Sequence, residues 1–211
     1  LVLSGGTTPG LLYECLASPA YRQGIDWNRT HVFWGDERCV EPNHLHSNYR
    51  LARDSLLSKV NIPAQNIHRI RGESSDPRQE ALRYEQEVRE FFLERGSGGA
   101  GEIPAFDLVL LGIGADGHVA SLFPGSSALE ERKRWVVEVY APQGYVPEQR
   151  ITLTLPVINN AREVLFLVAG EGKAGVLQDI MKDHEAARKR YPAARVTARE
   201  PNRSRTRSSA A

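Results

Sequence analysis

Residues 107–125 read Asp107-Leu-Val-Leu-Leu-Gly-Ile-Gly-Ala-Asp-Gly-His-Val-Ala-Ser-Leu-Phe-Pro-Gly125. The first part, Asp107 to Gly112, is apolar without alternation, which is how a strand reads when both faces of its sheet are covered. Three glycines then break the run. Shorter versions of the same grammar recur along the chain. Leu1–Leu3 runs into Ser4-Gly-Gly-Thr-Thr-Pro9, His31–Trp34 into Gly35-Asp36, and Val164–Val168 into Gly170-Glu-Gly-Lys173. Between these runs lie stretches of helical period. Leu12, Cys15 and Leu16 stripe the first, Ser47 is a natural N-cap for a second through Leu51 and Leu56, and Ala81, Tyr84, Val88, Phe91 and Phe92 mark a third over 77–95. A fourth is expected from Gly170 to about His184, and Trp135–Val139 and Ile151–Thr154 are further strand candidates. Strands alternating with helices predict an α/β fold: a doubly wound, mostly parallel sheet flanked by helices, Rossmann-like in outline. Leu1-Val2-Leu3 reads as the end of a buried strand and the only methionine is Met181, so the fold is expected to be incomplete at its start.

Composition narrows the class. Hydrophobic residues make up 41% and charged residues 25%, values ordinary for a globular domain. No apolar run is long enough to span a bilayer. Cys15 and Cys39 are the only cysteines, too few for a disulfide framework and not spaced as zinc ligands, so a reducing, cytoplasmic setting is expected. The net charge of +1 conceals an asymmetry: residues 188–211 hold eight Lys/Arg against one acid, leaving 1–187 acidic overall. The basic character therefore belongs to the tail. We expect one domain over 1–194 and a basic, disordered tail over 195–211, since the chain after Tyr191 lacks large apolar residues to offset its entropy. Nucleic-acid binding and membrane association are not expected, and a monomer is.

Four loops follow predicted strands, and ligands of open parallel sheets bind beyond the strands' carboxyl ends. Gly5, Gly6, Thr7 and Thr8 can present backbone N–H groups to an anion at a helix start, or form only a tight turn. Asp36 and Arg38 can orient hydroxyls and clamp a phosphate, or form a surface ion pair. Asp116 and His118, two apart in an extended segment, can point the same way. Histidine is suited to general-base work, and a helix starting at His118 would favour the neutral imidazole; the plainer alternative is a capping histidine beside an Asx turn. Lys173 and Arg150 are weaker candidates taken singly. The remaining histidines show no metal-ligand spacing, and neither a metal nor a cofactor is expected.

Together the four loops resemble the 6-phosphogluconolactonase family, part of a superfamily shared with glucosamine-6-phosphate deaminases. The carriers are Leu3-Ser-Gly-Gly-Thr-Thr-Pro9, Trp34-Gly-Asp-Glu-Arg38 with Ser47-Asn48-Tyr49, Leu111 to Gly125, and Arg150-Ile-Thr-Leu-Thr154 with Gly170-Glu-Gly-Lys173. The resemblance spans about Leu1 to Met181. It implies hydrolysis of 6-phospho-D-glucono-1,5-lactone in the pentose phosphate pathway, with a sugar phosphate as the partner molecule. It also implies a fold lacking elements at both ends of this chain. His118 matches the family's catalytic histidine and Asp116 the acidic residue of its Asp-Gly-His motif. Asp36 and Arg38 match the Gly-Asp-Glu-Arg positions, Lys173 the phosphate lysine, Gly5–Thr8 the phosphate turn, and Arg150 a further contact. Backbone N–H groups near Gly114–Gly117 are then expected to meet the oxyanion. The alternatives are a deaminase-like isomerase, for which Ala120–Gly125 lacks the expected acid, and a non-catalytic sugar-phosphate sensor.

Overall fold

The computed structural model describes residues 1–96 and 102–198. The glycine-rich break at 96–99 falls, from Ser97 onward, outside the described residues, as does the tail from residue 199. Among the described residues there are eight strands: β1 Val2–Leu3, β2 Val32–Trp34, β3 Asp36–Arg38, β4 Ile67–His68, β5 Leu108–Leu111, β6 Val136–Tyr140, β7 Gln149–Leu153 and β8 Glu163–Phe166. The helices are α1 Thr7–Ala17, α2 Asn48–Ser55, α3 Pro77–Glu94, α4 Leu155–Asn159, α5 Ala174–Lys182 and α6 His184–Arg190.

Five strands form a parallel sheet in the order β4-β2-β1-β5-β8. The chain moves outward from β1 to one side through β2 and β4, and to the other through β5 and β8. The crevice where that direction reverses lies between the ends of β1 and β5, the position at which such sheets bind ligands. Val109, Leu110 and Leu111 are at most 2% exposed, which explains the unbroken apolar run of β5: it has a strand on either side and a layer on either face.

The helices form as their sequences dictate. Ser47 Oγ accepts from the Arg50 amide and starts α2; Asp76 accepts from Gln79 and Pro77 opens α3. α3 buries Ala81, Tyr84, Val88 and Phe92 along one stripe. In α1 the buried face is Pro9, Gly10, Tyr13 and Ala17, with Leu12 and Leu16 at its margins; Cys15, expected on that face, is exposed. Two tyrosines on these helices pin the strand ends. Tyr13 OH accepts from the Ser4 amide (2.9 Å) and donates to the Ser4 carbonyl (2.7 Å). Tyr84 OH does the same for Trp34, at 2.9 and 3.2 Å. Each phenol satisfies both backbone polar groups of a buried residue at the carboxyl end of its strand.

Several expectations are corrected. Asp36-Glu37-Arg38 is not a loop but β3, which pairs antiparallel with β7, and β7 pairs antiparallel with β6. These three strands form a second, small sheet. Gly35 joins the two: its amide donates to Leu3 O of the large sheet at 2.9 Å and its carbonyl accepts from Leu153 N of the small one at 2.8 Å. The helix expected to reach His184 ends at Lys182, where Asp183 caps a separate α6. The disorder expected after Tyr191 does not hold for the residues next to it. Pro192–Arg195 forms a 3-10 turn with Pro192, Ala193 and Ala194 buried, and the Thr197 amide donates to Asn159. Small side chains suffice there because Ala193 joins the main core and Ala194 packs with Tyr191, Val176 and Ala187 in a small cluster of their own. Among the described residues no helix is long and apolar enough to cross a membrane.

Candidate active site

The β1 and β5 ends open onto a cavity of about 300 Å³, at the small end of ligand pockets. The turn Ser4–Pro9, Asp36, Arg38, Asn48, Gly112, Ala120 and Lys173 are among the residues lining it. Gly6, the N-cap of α1, has φ +104° and offers no side chain to the first-turn amides of Thr7 and Thr8, so the helix start has no side-chain cap. Gly5 is required by space: a Cβ there would lie 1.8 Å from Asn48 Oδ1. Asn48 in turn donates through Nδ2 to the Asp36 carbonyl (2.9 Å) and carboxylate (3.2 Å), and Ser121 Oγ donates to the other Asp36 oxygen at 2.7 Å. Asp36 is thereby fixed at the cavity wall with 4% exposure.

The cavity's polar atoms are not all satisfied from within. Ser4 Oγ, Asn48 Oδ1 and Arg38 Nε are buried without a partner among the described residues, and all three residues line the cavity. Buried polar groups without partners are costly, so three around one space make it the candidate for a ligand that supplies the missing bonds. Arg38 Nη1 donates to His46 O at 2.7 Å, which aims the guanidinium. Arg150 stands opposite Arg38 in the β3–β7 register and is 4% exposed. Its Nε donates to the Pro147 carbonyl, and neither arginine has a carboxylate ion pair among the described residues. Two adjacent cations of this type suit an anion. Glu37 turns the other way. Its carboxylate accepts from Ser47 Oγ and from the amides of Arg38, Asn48 and Tyr49, capping α2, and burial pushes it up to about 7.

A second cluster adjoins the cavity through Ala120, whose φ of +48° is a left-handed turn on a non-glycine residue. His118 Nδ1 donates to Asp116 Oδ1 at 2.6 Å, and the His118 amide donates to the same oxygen at 3.1 Å. With Nδ1 carrying the proton, Nε2 carries the lone pair, and it has no partner among the described residues. The His118 ring packs on Phe123 (4.6 Å) and edge-on to Tyr145 (5.4 Å), while Arg150 Cζ lies 5.5 Å from the Phe123 ring centre. Burial works against ionisation of Asp116, but hydrogen bonds from the His118 side chain and amide and from Tyr145 outweigh it and hold the carboxyl at about 2. The carboxylate is ionised at neutral pH and can stabilise an imidazolium.

The predicted residues therefore fall in two groups. Gly5, Gly6, Thr7, Thr8, Asp36, Arg38 and Lys173 share one cavity; His118, Asp116 and Arg150 form the cluster beside it, joined to it by the Ser121–Asp36 hydrogen bond. Three expectations about the histidine loop are corrected. Asp116 and His118 do not project side by side from an extended segment but face each other across a turn. No helix begins at His118, so no helix end sets its charge state; an isolated bridge links Val119 and Leu122 instead. The amides of Gly114 and Gly117 donate to His118 O and Gly114 O, which removes both as oxyanion donors. Asn48, Ser121, Phe123 and Tyr145 were not singled out from sequence. Asn48, Ser121 and Phe123 carried a signal, by standing inside the quoted motifs; Tyr145 carried none. Among the described residues no three His, Cys, Asp or Glu side chains gather as a metal site requires.

Comparison with known proteins places this geometry in context. Residues 1–206 match the family described as glucosamine-6-phosphate isomerases/6-phosphogluconolactonase. A 6-phosphogluconolactonase of Synechocystis sp. is 47% identical over 193 residues, covering 92% of this chain and 75% of that protein. One from Nostoc sp. is 44% identical over 180 residues, covering 85% and 70%. The crystal structure of the Thermotoga maritima 6-phosphogluconolactonase superposes with a TM-score of 0.77 at 35% identity, over 94% of this chain and 80% of that one.

Proposed function

The chain belongs to the glucosamine-6-phosphate isomerase and 6-phosphogluconolactonase family, and from that membership we propose that it hydrolyses 6-phospho-D-glucono-1,5-lactone to 6-phosphogluconate with His118 as general base. The observation that carries the mechanistic part is the Asp116–His118 dyad, which leaves Nε2 unpartnered beside a cavity lined by unsatisfied polar atoms and cations.

The phosphate is assigned to the Gly5–Thr8 turn, Arg38 and Lys173, remote from the reacting carbon, where its binding energy serves to position the lactone. Nε2 takes a proton from water as the water oxygen bonds to C1. The C1 carbonyl becomes an oxyanion, which collapses with cleavage of the bond to the ring oxygen, and that oxygen receives the proton from the imidazolium. Asp116 remains ionised and steadies the imidazolium between the two transfers. With the Gly114 and Gly117 amides engaged elsewhere, Arg150 is the cation we assign to the lactone end.

The test is formation of 6-phosphogluconate, followed through a coupled dehydrogenase against the spontaneous rate of ring opening. Wild-type protein should exceed that rate. His118→Ala should lower kcat by ~10²–10⁴-fold, the usual contribution of a general base, with KM little changed. Wild-type turnover by His118→Ala would remove the base assignment, and ammonia release from glucosamine 6-phosphate would replace the lactonase reading with the isomerase one.

A further inference from the structure

One residue of the C-terminal segment touches both the histidine loop and the helix that follows Lys173. Gly117, next to His118, has φ +80°, and a Cβ built there would lie 2.5 Å from Cδ1 of Tyr191. The Tyr191 ring thus lies directly against the backbone of the histidine loop. Two residues on, the Ala193 amide donates to the Gly117 carbonyl at 2.9 Å. The other end of the same side chain reaches α5: Tyr191 OH donates to Asp179 Oδ2 at 2.6 Å. α5 starts at Ala174, immediately after Lys173. Tyr191 also shares a small apolar cluster with Val176 of α5, Ala187 of α6 and Ala194, and this cluster is separate from the main core.

We propose that Tyr191 is a positioning residue that fixes the histidine loop relative to the Lys173 end of α5. This rests on the functional reading above for its kinetic consequence, though not for its mechanical one. The ring supports Gly117, on which the aim of His118 depends. The hydroxyl holds α5, on which the placement of Lys173 depends. The two functions reside in different parts of one side chain and can be removed separately.

Tyr191→Phe keeps the ring and loses the bond to Asp179; Tyr191→Ala loses both. Asp179→Asn weakens the α5 contact without altering Tyr191 at all, so it serves if Tyr191→Ala does not fold. In the full chain, Tyr191→Phe and Asp179→Asn should raise KM by roughly three- to tenfold, the net worth of an ordinary hydrogen bond because the Asp179 carboxylate is half exposed, with kcat unchanged. Tyr191→Ala should in addition lower kcat by about tenfold or more, and Phe should restore that loss. Amide hydrogen exchange gives a readout independent of activity. It should quicken over 113–120 and 170–178 in Tyr191→Ala, but only over 170–178 in Tyr191→Phe. Unchanged exchange in Tyr191→Ala, or a kcat loss in Tyr191→Phe equal to that in Tyr191→Ala, overturns the proposal. A lower melting temperature with kcat and KM of the folded protein unaltered overturns it too. The expected exchange pattern in a chain that shows no lactonase activity would support the clamp and strike the functional reading alone.

Discussion

Gly114→Ala probes the dyad at its tightest point. A Cβ at position 114 would lie 2.0 Å from His118 Nδ1, 2.3 Å from Cε1 and 2.6 Å from Asp116 Oδ1. Contacts under 3 Å cannot persist, so the imidazole or the carboxylate has to move. The imidazole cannot move freely, because Phe123 packs on its face at 4.6 Å and Tyr145 meets it edge-on at 5.4 Å. The accessible relief is to break the 2.6 Å Nδ1–Asp116 bond. A hydrogen bond to a charged group is worth about 1.5–3 kcal/mol. If it persists through proton abstraction, its loss lowers kcat by roughly 10- to 150-fold. The assay is the coupled 6-phosphogluconate measurement on a double-mutant cycle with His118→Ala. Removing the imidazole relieves the two shortest contacts and leaves Asp116 free to move with no ring to steady, so Gly114→Ala should lower kcat no further in that background. Two results refute the reasoning: wild-type kcat in the single variant, or losses that simply multiply in the double variant.

Arg38→Ala and Lys173→Ala should each raise KM by at least tenfold while kcat falls less, measured over a range of lactone concentrations; a pure kcat effect would place these cations at the reacting carbon. Asp116 sets a stability dependence on pH. Its carboxyl drops from 3.8 to about 2 on folding, so its contribution is complete above 3.8 and is lost as pH falls through about 2. After discounting for partial exposure this amounts to under ~1 kcal/mol. Asp116→Asn should therefore flatten the acid limb of a melting-temperature profile between about pH 4 and 2, and an unchanged limb would assign that limb to other carboxylates.

The parts of the fold that were legible are those whose signal is local. β5 is written in an unbroken apolar run, the start of α2 in Ser47, and α3 in the spacing of Ala81, Tyr84 and Val88. β3 was illegible because Asp36-Glu37-Arg38 has no apolar alternation; it is a strand only because β7, over a hundred residues later, offers it a ladder. The candidate residues were found because glycine turns after strands announce themselves. Their arrangement was not: whether Gly117 N–H faces a ligand or Gly114 O is a matter of turn geometry that composition does not encode. Tyr145 and Tyr191 act across long sequence separations and sit in stretches with no motif of their own. The order at Ala193 and Ala194 depends on neighbours such as Val176 and Ala187 that only the finished fold brings together.

Gly35 gives the two sheets a shared residue, its amide bonded to β1 and its carbonyl to β7. Arg38 rides on one sheet, whereas Lys173 and the Gly5 turn follow strands of the other. The gap across which these groups face each other is thus a dimension of the scaffold, like the jaw opening of a fixed wrench. Lengthening a surface loop leaves that opening as it was. A substitution that changes the twist where the sheets meet resets it, and with it the size of anion the jaws accept.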